Sequence, residues 1–279
     1  MVLSKKFYVV SISVFVVLMG ILAIGDLDYT ISEALVNPNS LIGQTGNLFG
    51  EFPAMFGMLL AVVLLYGGRR RDIMWWNVVA TILGVIFIFL FSYTVVMMPI
   101  RYAFEHAVNG TPTIWKIINV VGAIILAGAS IYIAHTKGEN FKDLKKHAWL
   151  LLVLIFGEVF IVNIVKGIWA RPRMRSISSV SEFKHWYEIN GWTNDNELKS
   201  FPSGHTANAF ISLAYMIFIP YIKSIKMKTY ITIAVVWGVF VSLSRVIIGA
   251  HFLSDVLVGS YITIFLFILL EKVFFRNMT

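Results

Sequence analysis

Along this chain apolar residues gather into long runs, near 7–25, 53–67, 74–97, 116–135, 147–165, 205–222, 229–249 and 252–273, with polar residues in short breaks between them. A helix needs roughly 17 to 25 predominantly apolar residues to cross a bilayer. The pattern therefore predicts an all-α, polytopic transmembrane helical bundle of about eight spans. No polar tract of domain size interrupts it, so a soluble second domain is not expected. Composition agrees: 58% of the 279 residues are hydrophobic and 14% charged, whereas soluble domains run near about 45–50% and about 25%. The first run follows Lys5 and Lys6 and ends in Ala23, Ile24 and Gly25, faintly like a signal-peptide cleavage site. It exceeds the roughly 7 to 15 residues of a signal core, so a retained first span is expected.

Charge adds an orientation. The net charge is +8, but the basic residues sit in short breaks and form no stripe on a soluble face, so no nucleic-acid partner is expected. Lys5 and Lys6, Arg69 to Arg71, Lys137, Lys142, Lys145 and Lys146, then Lys223, Lys226 and Lys228 all fall on one side. By the positive-inside rule that side is cytoplasmic, with both termini. The loop 26–52 has no Lys or Arg and carries Asp26, Asp28, Glu33 and Glu51, so it belongs outside with the weakly basic loop 101–115. Trp75, Trp76, Trp115 and Trp149 lie near span ends, where indole rings favour the interface. Segment 166–204 breaks the rule: it holds Lys166, Arg171, Arg173, Arg175, Lys184 and Lys199, yet alternation puts it outside. Its Trp186, Tyr187 and Trp192 suit either a surface-lying lid or a plain loop. Zero cysteines exclude disulfides, thiolate catalysis and cysteine-held metals.

Three clusters at the outer ends of the last four helices bring together cations, histidines and an acid. The first runs from Lys166 to Arg173, where cations suit either phosphate oxygens or the helix C-terminus. The second is Pro202, Ser203, Gly204, His205, just before a helix, where N–H groups, a permissive glycine and a capping serine suit either an anion site or a plain turn. The third is Ser244 and Arg245, then His251, then Asp255. The last two are four apart at a helix start and so share a face. A carboxylate holding one ring nitrogen would leave the other basic, making His251 a candidate nucleophile.

In order, spacing and placement these clusters resemble the three signatures of the type 2 phosphatidic acid phosphatase (PAP2) superfamily, in its membrane lipid phosphatase branch. The family's first signature, Lys, six residues, Arg-Pro, counts from Lys166 to Arg173; Met174 stands where the family has proline, and Arg171, which does precede a proline, is the alternative phosphate ligand. Pro202 to His205 match the second throughout, and Ser244, Arg245, His251 and Asp255 the third. The resemblance implies a metal-independent phosphatase with no cofactor. His251 would attack phosphorus to give a phosphohistidine, Asp255 orient it and His205 protonate the leaving oxygen. Lys166, Arg173, Ser203, Gly204 and Arg245 would bind the phosphate. It implies N-terminal transmembrane helices over 1–146 and a catalytic core over 147–279 with the outer loop 166–204; a six-helix core makes two of eight spans extra. The implied partners are a lipid phosphate, of phosphatidic acid, phosphatidylglycerophosphate or undecaprenyl pyrophosphate type, and the surrounding membrane lipids.

A lipid or anion transporter or flippase is the competing class, although transport sites are expected near the bilayer midplane. A lipid phosphotransferase would use the same residues. Glu158 would lie about 12 Å deeper than Lys166 at about 1.5 Å per residue and reads as a structural partner of a donor.

Overall fold

A computed structural model of the chain describes residues 5–104, 107, 110–222 and 224–275, with side chains from residue 9 onward. The side chains of Lys5 and Lys6, and all of Lys223, on which part of the orientation rests, lie outside the described residues. The helices are α1 (Lys5–Ile21), α2 (Leu27–Leu35), α3 (Leu41–Phe49), α4 (Phe52–Gly67), α5 (Met74–Ala103), α6 (Thr113–Thr136), α7 (Lys145–Trp169), α8 (Gly204–Phe210), α9 (Met227–Ile247) and α10 (Leu253–Phe275). No strand forms among the described residues, and the protein is an all-α polytopic membrane bundle. Among the described residues six helical stretches are long and apolar enough to cross a bilayer: Leu41–Gly67, Met74–Ala103, Thr113–Thr136, Gly138–Ser176, Met227–Ile247 and Leu253–Phe275; apolar Val9–Ile21 is shorter.

Two differences from the sequence pattern have physical causes. The segment taken as an outer loop, 26–52, folds into α2 and α3, and α3 continues into α4 as one helical stretch. Gly43, Gln44, Gly46, Asn47 and Gly50 interrupt the apolar run there and hide the helix from a hydropathy reading. Ser40 starts α3 by accepting a hydrogen bond from the Gly43 N–H at 3.4 Å. The predicted span 205–222 is helical, as α8 followed directly by a 3-10 stretch, Ile211–Tyr221. It is absent from the six because α8 begins with polar Gly204, His205, Thr206 and Asn208, three of them buried side chains facing protein.

Contacts divide the chain into two compact units, Met1–Gly50 with Phe156–Thr279, and Glu51–Ile155. Within the second, Gly84 lies so close under the Tyr66 ring that a Cβ would collide with it, and Gly67 meets Phe141 in the same way. Its α5 and α6 expose Ile82, Leu90, Ile124 and Ile125. Such faces suit lipid, where water gives apolar surface no refuge. Trp75, Trp76 and Trp115 are also exposed.

The first unit is built on close helix approaches. Gly43 and Gly46 of α3 leave no room for a Cβ against Ile248 and Ser244 at the end of α9. Gly238 of α9 seats the Phe210 ring of α8, where a Cβ would stand 2.6 Å from the ring. Gly259 of α10 admits the Ser203 carbonyl at the head of α8. Small residues let backbones approach where lipid offers no hydrophobic drive. On α10, Tyr261 donates to the Ser11 carbonyl of α1 at 3.0 Å, and Phe15 packs on the Tyr261 ring at 4.5 Å.

Candidate active site

The third cluster is a helix end, a turn and a helix start. Gly249, at φ 68°, closes α9. Its N–H bonds the Val246 carbonyl at 2.9 Å and the Ala250 N–H reaches back to the Arg245 carbonyl at 3.1 Å, a Schellman turn. His251 follows, and α10 begins with Asp255 in its first turn accepting from the Phe252 N–H at 2.8 Å, half of a capping box. The five-residue spacing between Arg245 and His251 is thus the length of this turn.

His251 and Asp255 do come together, but with a different orienting partner from the one expected. The nearest approach of the His251 ring to Asp255 is 3.6 Å, from Nδ1 to Oδ2, too long for a good hydrogen bond. Nδ1 lies 2.7 Å from the Ser200 carbonyl oxygen. A carbonyl only accepts, so Nδ1 carries the proton and Nε2 keeps its lone pair. Asp255 acts one step back: the Ser200 hydroxyl donates to its Oδ2 at 2.6 Å. Burial pushes the His251 imidazole well below its ordinary pKa; the Asp255 carboxylate opposes this, and the charges of Lys166, Arg173 and Arg245 reinforce it.

Beneath His251 lies a buried ionic network. Ala170, at φ 45°, ends α7 in the left-handed region and turns Arg171 into the interior. Arg171 is 0% exposed. Its Nη1 donates to Asp255 Oδ1 at 2.5 Å and to Ser254 Oγ at 2.7 Å, its Nη2 to Asp28 at 2.9 Å, and its Nε to the Lys184 carbonyl at 2.7 Å. The guanidinium also stacks over Phe252, 4.3 Å from the ring centre. Two carboxylates exceed one cation, and hydrogen bonds meet the excess: Asp28 accepts from the Ser254 N–H at 3.1 Å and hydroxyl at 2.5 Å. Arg171 is therefore committed to holding Asp255, which favours Arg173 over Arg171 as the phosphate ligand.

The other two clusters close on the same place. Ser203 caps α8 by accepting from the Thr206 N–H at 3.4 Å, and its own N–H bonds the Asp255 carbonyl at 3.0 Å. That N–H is occupied, so of Ser203 and Gly204 it is Gly204 whose backbone N–H can serve an anion at the helix head. A Cβ on Gly204 would meet only ordinary contacts, Val162 at 3.6 Å and Lys166 Cε at 3.8 Å, so its neighbours do not force the glycine. Lys166 donates to the Lys199 carbonyl at 2.7 Å, and Arg173 Nε to the Asn196 carbonyl at 2.9 Å. His205, 9% exposed, lies within electrostatic reach of Arg245, His251, Lys166 and Arg173. Every candidate residue of the three clusters thus lies in the first unit, around two histidines and three cations.

Comparison with known proteins supports the resemblance carried by the three clusters. Residues 147–279 match the PAP2 superfamily. They belong to it. The chain is also 34% identical over 130 residues, 44% of its own length, to phosphatidylglycerophosphatase B of Bacillus subtilis (strain 168), and spans 56% of that relative. No solved structure matches.

The PAP2 region does not contain all of the site. Asp28 comes from α2 and Asn47, which accepts a hydrogen bond from Arg245 Nη1, from α3; both precede the match. Together with Ser200 these are the residues that motif reading missed. No sequence signal marks Ser200 or Asn47; Asp28 showed only as an acid in a loop without cations. The aromatic segment is pinned by the Trp169 indole, which donates to the Trp186 carbonyl at 2.7 Å, while Tyr187 and Trp192 are exposed. Glu158 is buried in α7. Among the described residues no group of three or more His, Asp or Glu is placed to hold a metal.

Proposed function

We propose that this protein is an integral membrane lipid phosphatase that works through His251, acting on a lipid phosphate or pyrophosphate of phosphatidylglycerophosphate, phosphatidic acid or undecaprenyl pyrophosphate type at the extracytoplasmic face. The observation that carries this reading is the buried His251 ring, held by Nδ1 at the Ser200 carbonyl so that Nε2 keeps its lone pair, with the charges of Lys166, Arg173 and Arg245 within electrostatic reach of the ring. Those cations and the Gly204 N–H take the phosphate oxygens. Nε2 attacks phosphorus; the N–P bond forms as the bond to the lipid oxygen breaks, and His205 gives that oxygen its proton. Water, passing a proton to His205, then cleaves the phosphohistidine. Charge on the equatorial oxygens is met by groups already in place, usually the largest catalytic contribution. Residues 147–279 supply the catalytic core in this reading, and the lysine-rich breaks support termini on the cytoplasmic side.

Detergent-purified protein should release inorganic phosphate from at least one of these lipids with EDTA present. Release to water identifies a hydrolase; phosphate appearing on an added alcohol identifies a phosphotransferase. No release from any lipid by folded protein would sink the reading in favour of a transporter.

The pH dependence has a definite sign. Because the folded pKa of His251 is lowered, its neutral form survives as pH falls through the ordinary histidine value of about 6.5. The acid limb of kcat/KM, which reports the free enzyme, therefore lies below that value. Burial, then the nearby cations, lower His205 as well; in the complex the negative charge of the bound phosphate opposes that lowering, and the limb in kcat at higher pH reports loss of the His205 proton there. An acid limb centred at or above the ordinary histidine value would contradict the assignment of His251.

A further inference from the structure

We propose that Asn47 is a positioning residue of the phosphate site: it fixes the Arg245 guanidinium in the direction from which that cation meets the substrate anion. The proposal rests on the phosphatase reading for its substrate, and on the following geometry for itself. Asn47 lies in α3, outside the PAP2 match, is buried, and its Oδ1 accepts from Arg245 Nη1. The same face of α3 is pressed onto α9 at the two positions where Gly43 and Gly46 meet Ile248 and Ser244, so Asn47 is delivered beside Arg245 by backbone packing. One turn on, a Cβ at Gly50 would stand 3.6 Å from His205 Cδ2. This face of α3 therefore borders both the cation and the proposed proton donor.

The chemistry of the partner matters. Arg171 meets two carboxylates, Asp28 and Asp255, which neutralise it. Asn47 offers an amide oxygen, which sets direction without adding charge of its own. A planar guanidinium binds phosphate by a directed pair of N–H groups, so its orientation governs the strength of the contact.

The test is a cycle of Asn47→Ala, Asn47→Leu, Arg245→Ala and the Asn47→Ala/Arg245→Ala pair. Orthovanadate binding by calorimetry, kcat/KM on the best lipid and the unfolding temperature are read for each. Asn47→Leu keeps the branched outline of the side chain and removes its hydrogen-bonding groups, so it serves if the alanine variant folds poorly. Each Asn47 variant should weaken orthovanadate binding and kcat/KM by about tenfold or more, the usual worth of a hydrogen bond to a charged group. In the Arg245→Ala background the Asn47 substitution should add nothing. Wild-type affinity in both folded Asn47 variants, or a full additional loss in the pair, would overturn the proposal. If wild type binds orthovanadate but hydrolyses no lipid, the phosphatase reading fails and the binding cycle alone decides on Asn47. If wild type binds no orthovanadate, the anion site fails and Asn47 with it.

Discussion

A His251→Ala protein is expected to lose at least about 10^4-fold in turnover while remaining folded, the scale seen when a catalytic nucleophile is removed. The imidazole makes its hydrogen bond to a backbone carbonyl, Ser200, and that carbonyl is held by the chain around it. Removing the ring takes out Nε2 and leaves the Asp255–Arg171–Asp28 network in place. The three cations remain as well, so orthovanadate should still bind with affinity within about tenfold of wild type. Acid-quenched wild type given labelled lipid phosphate should carry label on protein, and the variant should carry none. A variant that keeps more than about a hundredth of wild-type turnover would remove His251 from the role of nucleophile, whatever its geometry.

The same residues show what a linear reading reaches. The third cluster was legible because Arg245, Gly249, His251 and Asp255 lie in one helix end, one turn and one helix start, where spacing fixes geometry. Six of the eight apolar runs, all but 7–25 and 205–222, were legible as spans among the described residues, because lipid imposes one demand along a whole helix. What escaped is carried by long-range pairs: Asp28 meets Arg171 143 positions away, and Asn47 meets Arg245 198 positions away. The Ser200 carbonyl escaped for another reason, since a backbone oxygen has no letter in the sequence. Helix α3 was taken for loop because glycines that let it touch α9 also break its hydropathy. In each case the feature that blurred the pattern is the one that builds the site.

Arg171 and Arg173 stand two positions apart, and the structure gives them opposite fates on substitution. Arg171→Met should lower the unfolding temperature sharply, on the scale of about 3–5 kcal/mol for breaking a buried ion pair from one side. The cost arises because Asp28 and Asp255 would face each other across the space the guanidinium held, fully buried. Adding Asp28→Asn to Arg171→Met removes one of those charges and should recover part of the loss; a merely bulky role for Arg171 predicts no recovery. Activity should fall with stability, since Asp255 anchors both the Ser200 hydroxyl and the Ser203 N–H. Arg173→Ala should instead keep the unfolding temperature near wild type and weaken orthovanadate binding, because Arg173 is part-exposed and its removal strands no fully buried carboxylate, Glu197 being 43% exposed. The reverse pattern would make Arg171 the phosphate ligand and Arg173 the brace. Two arginines of one motif would then have exchanged roles, and a buried guanidinium already answered by two carboxylates would have to release one to take up a phosphate.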